Sequence, residues 1–144
     1  MMKELIEDGL LVRPELAGHV ASGKFGVIRS QHGLARQPKH RDVRNAKVQE
    51  VLAKGWLAPL SVIVVLHDHH MTLWPGAIGG VSGEGAPTRV LLKAGSAIAF
   101  RGDLVHCGPG HMDSPVVTGC TDRIHLHLDD RRRTVNLNPI EKVD

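Results

Sequence analysis

A histidine followed two positions later by an aspartate occurs three times in this chain, as His40/Asp42, His111/Asp113 and His127/Asp129. Two positions apart on an extended segment, an imidazole and a carboxylate leave the backbone on the same side. That is a natural start for a divalent-metal site, because both groups donate to borderline metals. The three pairs differ in the histidines that lie further along the chain. His106 lies 64 residues beyond Asp42, room for a helix and several strands to bring the chain back. Beyond His111/Asp113 there are only His125 and His127 with little chain between, and beyond His127/Asp129 no histidine at all.

Two imidazoles and one carboxylate on one side of a metal leave the opposite positions open, the facial arrangement of non-haem Fe(II) oxygenases. His106 falls in "AGSAIAFRGDLVHCG", residues 94–108, just after the turn at Arg101-Gly102-Asp103. A histidine placed there can point into the lumen of a barrel. Seventeen residues later, "TDRIHLHLDD" sets Arg123, His125 and His127 on one strand face and Ile124, Leu126 and Leu128 on the other. An arginine on such a strand can grip a carboxylate by paired hydrogen bonds. Plainer accounts exist for each. Asp42 could cap the helix after it, Arg123 could pair at the surface with Asp122 or Asp129, and His125 and His127 could be a polar strand face.

The elements that must position these groups are mostly short strands. Residues 2–13 read as an amphipathic helix, and "RNAKVQEVLAKG" as a second one stopped by Gly55. "KFGVIRS" and "LSVIVVLH" read as strands, with "HMTLWP" as the partner of the latter across a His/Asp-rich turn. A Gly-rich loop over 76–88 is a candidate gate. "TRVLLKAGSAIAF", "LVHCG" and "DRIHLHLD" come next as strands joined by tight turns. Short strands, with helices confined to the N-terminal half, predict an all-β jelly-roll barrel as a single domain over 1–144.

Composition narrows the partners. A net charge of +3 does not call for nucleic acid, and the run Arg131-Arg132-Arg133 is balanced by Asp129-Asp130. Cys107 and Cys120 make no disulfide framework and read as free thiols in a reducing compartment. The N-terminus lacks the apolar core of a signal peptide, and the longest apolar run, Val62 to Leu66, is far too short to span a bilayer. A soluble cytoplasmic protein with no membrane partner is expected.

In order along the chain, "HRD", "LSVIVVLHDHHMTLWPG", "AGSAIAFRGDLVHCG" and "RIHLHLD" resemble the Fe(II)/2-oxoglutarate-dependent oxygenase superfamily over roughly residues 37–129. The resemblance implies a double-stranded β-helix. It implies that His40, Asp42 and His106 bind iron and that Arg123 holds the distal carboxylate of 2-oxoglutarate, with His125 as a co-substrate neighbour. It further implies dioxygen and an unidentified substrate as partners, with hydroxylation coupled to release of succinate and CO2. The chain departs from the pattern in carrying His125 where members often have Ser or Thr, and in having no Tyr. Two alternatives stay open. One is a cupin-type metal barrel using His67, His69 and His106; the other is an inactive ligand-binding jelly roll.

Overall fold

The computed structural model describes residues 14–31, 33, 35–79, 85–108, 121–133 and 141–142. The N-terminal helix expected over 2–13, His111/Asp113 and Cys120 lie outside them. After a short 3-10 turn, Pro14–Leu16, the order is β1 (His19–Ser30), β2 (His40–Arg41), α1 (Asn45–Ala53), β3 (Leu60–Val65) and β4 (His69–Trp74). A second 3-10 turn, Pro75–Ala77, leads to β5 (Thr88–Leu92), β6 (Ala97–Arg101), β7 (Val105–Cys107), β8 (Thr121–Asp130) and β9 (Glu141–Lys142).

The strands form two antiparallel sheets, β1-β8-β3-β6 and β5-β4-β7-β2-β9. Period-two alternation gives each strand an inner and an outer row of side chains. The inner rows meet in a core of Ile63, Val65 and Phe100 from the first sheet and Met71, Leu73 and Leu92 from the second. The outer row of the first sheet is also apolar: Val62, Leu126 and Leu128 pack with Leu16. This is the double-stranded β-helix, a jelly roll. Helix α1 starts after Arg44, buries Val48 and Val51, and stops where Gly55 takes a φ of 70°. No side chain caps its start, so Asp42 is not a helix cap. Among the described residues no helix is long and apolar enough to cross a membrane.

Two expected connections differ. β4 is not the partner of β3: β3 lies between β8 and β6, while β4 lies between β5 and β7 in the other sheet. Likewise "TRVLLKAGSAIAF" is not one strand. It breaks at Lys93–Ser96, where Gly95 has a φ of 82°, and β5 and β6 end up in opposite sheets. A Gly- or Asp-rich turn reports that the chain reverses. It does not report whether the reversal stays in one sheet or steps across to the other, which depends on partners far away in sequence.

Candidate metal and co-substrate site

β2 is two residues long, yet it sits inside its sheet between β7 and β9. His40 is in direct register with His106 of β7, and their rings lie 4.4 Å apart, tilted by 57°. Arg41 points the opposite way. It is 3% exposed and donates from Nε to the Asp103 carbonyl at 3.0 Å, with Nη2 3.5 Å from the Ala77 carbonyl. The middle residue of "HRD" is therefore an anchor in the wall behind the site.

Asp42 is placed through its backbone. Its N–H and that of Val43 both donate to the Gly102 carbonyl, at 3.1 and 2.9 Å. Gly102 can approach so closely because it has no side chain: a Cβ there would meet Val43 Cγ2 at 2.6 Å. The next residue, Asp103, is fully buried and accepts two hydrogen bonds from Arg101, at 2.7 and 2.6 Å. "HRD" and "RGD" are thus locked to each other, which explains why the turn before His106 has that composition.

The two histidines are oriented alike. His40 Nδ1 lies 2.8 Å from the Pro38 carbonyl and His106 Nδ1 lies 2.9 Å from the Leu104 carbonyl. A carbonyl only accepts, so Nδ1 is the donor in each ring, and in the neutral imidazole Nε2 is then the nitrogen with the lone pair. Both Nε2 atoms stand 3.6 Å from the same oxygen, Asp42 Oδ1. Ligand atoms of His40, Asp42 and His106 all lie within 4.8 Å of one another, and neither Asp42 oxygen has a hydrogen-bonding partner. Burial pushes the Asp42 carboxyl up, but contact with His125 and the charges of His106 and His125 outweigh it and hold it well below the ordinary 3.8. Burial lowers the His106 pKa, opposed in part by Asp42. Two imidazoles and one carboxylate make up the donor set that a ferrous ion accepts.

Arg123 faces the same pocket from β8. It is 3% exposed and donates from Nη1 to Ser30 Oγ, at the end of β1, at 2.8 Å. Burial lowers its pKa, offset by the charge of Asp42. Neither acidic partner considered for it is engaged: Asp122 binds Arg29 at 2.7 Å, and Asp129 lies 3.8 Å from Arg133. No carboxylate pairs with the Arg123 guanidinium among the described residues, so an anionic ligand would satisfy it. Ile28, Ile63 and Met71 give apolar walls, and Gln37 and His69 further polar groups, to a pocket of about 420 Å³ counting its open mouth. A Cβ on Gly108 would meet Gln37 Oε1 at 2.6 Å and Arg123 Nη2 at 3.1 Å, so glycine leaves room between those two side chains.

No family model matches the sequence, and no curated protein does. Solved structures do match. SnoN, a non-haem α-ketoglutarate-dependent epimerase from nogalamycin biosynthesis, superposes with a TM-score of 0.62 at 18% identity. The match covers 90% of this chain and 52% of SnoN. AviO1 from Streptomyces viridochromogenes Tue57 gives 0.59 at 18% identity, over 92% of this chain and 64% of AviO1. EctD from S. alaskensis, solved with bound Fe, gives 0.56 at 13%, over 96% of this chain and 63% of EctD. The chain has the fold of the non-haem iron, 2-oxoglutarate-dependent enzymes. It spans between 52% and 64% of the length of these three.

Within that fold, the residues singled out in the sequence have distinct fates. His40, Asp42, His106, Arg123 and His125 all line the same pocket. The cupin-type set does not assemble: His69 lines the pocket, but His67 is exposed in the turn after β3, where its Nδ1 accepts from the Asp122 backbone N–H at 3.1 Å. Of the Gly-rich loop, residues 80–84 lie outside the described residues; Gly79, at its start, donates its N–H to Asp103 Oδ2 at 3.3 Å. Cys107 is a free, buried thiol that accepts from Arg36 Nε at 3.1 Å. Sequence reasoning missed Ser30, Gln37 and Gly108. Strand parity could have put Ser30 on the same face as Ile28, but only the pairing of β1 with β8 brings it to Arg123.

Proposed function

We propose that the protein is an Fe(II)- and 2-oxoglutarate-dependent oxygenase, holding iron through His40, Asp42 and His106 and the distal carboxylate of 2-oxoglutarate through Arg123. The observation that carries this reading is the convergence of two Nε2 lone pairs, each set by a backbone carbonyl, on one oxygen of a buried and unpartnered carboxylate. A cation shared by these three donors would be offset in charge by Asp42, which is held ionised. The buried guanidinium of Arg123 in the same pocket supplies the second half of the requirement, an anion site. The structural neighbours point the same way, SnoN being α-ketoglutarate-dependent and EctD carrying Fe.

Bound iron, with 2-oxoglutarate and dioxygen, supplies the oxidation: 2-oxoglutarate becomes succinate and CO2, and one oxygen atom enters a substrate C–H bond. The chain's own residues do the rest. The Pro38 and Leu104 carbonyls keep His40 and His106 in the tautomer that can donate to a metal. Asp42, ionised far below neutral pH, offsets part of the metal's charge. Arg123, steadied by Ser30, fixes the far end of the co-substrate. Ile28, Ile63 and Met71 limit water around it.

The test is an anaerobic titration with Fe(II) and 2-oxoglutarate, followed by visible absorption. A weak charge-transfer band is expected in the wild type and in His67→Ala, and none in Asp42→Ala. Absence of the band in the wild type sinks the reading. A band without succinate release on any C–H substrate would make the protein a ligand-binding jelly roll instead.

A further inference from the structure

We infer that His125 is a positioning residue for Asp42, holding one carboxylate oxygen so that only the other is presented to the metal. The inference rests on the proposed iron site and assigns His125 a role other than contact with the co-substrate. The two oxygens of Asp42 have different surroundings. Oδ1 stands 3.6 Å from Nε2 of both His40 and His106. Oδ2 lies 3.1 Å from His125 Nε2.

The His125 ring is held in place. It sits on β8 opposite Ile63 of β3, and its side chain is 15% exposed. The next inward residue, His127, lies against it with ring centroids 4.6 Å apart. Ser61, fully buried opposite His127, adds to the stabilisation of the ionised Asp42. Asp42 Oδ2 thus rests on a polar floor built by β3 and β8, although Asp42 itself belongs to the segment after β2. His125 Nε2 and Asp42 Oδ2 are at contact distance but out of line for a hydrogen bond. A modest turn of the carboxylate or the ring, as Oδ1 engages a cation, completes it.

The chemical consequence concerns open positions. A carboxylate bound through both oxygens fills one more position on a metal than one bound through a single oxygen, and a 2-oxo acid chelate needs two. A donor on Oδ2 keeps Asp42 a one-oxygen ligand. Outer partners of this kind typically change metal affinity by about 10–100-fold when removed.

Co(II), which is stable in air, is the probe. Its affinity would be measured by calorimetry, and its visible spectrum recorded, for wild type, His125→Ala and His125→Gln. The amide nitrogen of Gln reaches where Nε2 stands. Expected are a loss of about 10–100-fold in Co(II) affinity for His125→Ala, with an altered Co(II) spectrum, and recovery towards wild type in His125→Gln. Should His125→Ala fail to fold, His125→Leu fills the volume without a donor and carries the same test. Unchanged Co(II) affinity combined with weaker 2-oxoglutarate binding to the Co(II) protein would overturn the inference and return His125 to the co-substrate. If the wild type binds no Co(II), or binds it independently of Asp42, the iron-site reading falls and this inference with it.

Discussion

His40-Arg41-Asp42 and His127-Leu128-Asp129 share a pattern and a degree of burial, with Asp42 3% and Asp129 2% exposed. Their carboxyls respond in opposite directions. Asp42 is held below the ordinary value because His125 and His106 reach it from two other strands. Asp129 is pushed above it by burial, with Arg133 at 3.8 Å and a hydrogen bond from the Asp130 N–H offsetting only part. Across the sheet from Asp129 lies Val20, whose side chain has nothing to donate. The spacing His-x-Asp puts two groups on one side of one strand. A site appears only where other strands deliver complementary groups to the same point.

That contrast can be broken most sharply at the carboxylates. Asp42→Ala should abolish Fe(II)-dependent absorption and turnover, while Asp129→Ala leaves both in place. Dependence on Asp129 in the same titration would erase the distinction. The next largest effect belongs to the anion end of the pocket. Arg123→Ala should weaken 2-oxoglutarate binding by about 10–100-fold, the loss of a charge-assisted hydrogen bond of about 1.5–3 kcal/mol. Metal binding without co-substrate should hardly change. Arg133→Ala, on the Asp129 side, should leave 2-oxoglutarate affinity as it is, and equal losses in the two variants would show that Arg123 is not the anchor.

A smaller effect is expected at the clamp between "HRD" and "RGD". Gly102→Ala forces a methyl group against Val43 and should cost about 1–3 kcal/mol of stability as overpacking. Urea denaturation measures it, and an unchanged midpoint would mean that Asp42 is not held by this close approach. The smallest effect concerns pH and has opposite signs at the two aspartates. The folded pKa of Asp42 is below 3.8, so its stabilisation is present above about pH 4 and is lost as the pH falls through the folded value. The folded pKa of Asp129 is above 3.8, so its protonated form favours folding at low pH, and that contribution is lost as the pH rises above about 4. In metal-free protein, Asp129→Asn should therefore flatten the fall in melting temperature above about pH 4, and Asp42→Asn should flatten the fall on acidification. Parallel shifts in both variants would contradict the assignment.

Much of the site was legible because its signals are local or ordered along the chain. The separation of Asp42 from His106 and the shared face of Arg123 and His125 needed only strand parity and chain order. The β-branched run of β3 and the helical spacing of α1 were legible for the same reason. The pairing of β3 with β4 was misread, since "HDHH" has the composition of a hairpin turn whether the chain folds back in its own sheet or crosses to the other. Ser30, Gln37 and Gly108 carried no signal, being ordinary residues in ordinary contexts.

By itself the sequence determined which side chains share a strand face, where the chain turns, and that a candidate His/Asp/His donor set with a later arginine is present. These come from a period of two and from the backbone preferences of Gly, Pro and Asp, which act over a few residues. Only the tertiary structure decided which strands are neighbours, and with them the three choices that define the pocket. His106 lies beside His40, the Gly102 carbonyl holds the Asp42 backbone, and His125 lies against the second Asp42 oxygen. Those contacts join residues far apart in the chain, and they exist because burying the inner faces of two sheets against each other leaves few other ways to satisfy the polar groups caught between them.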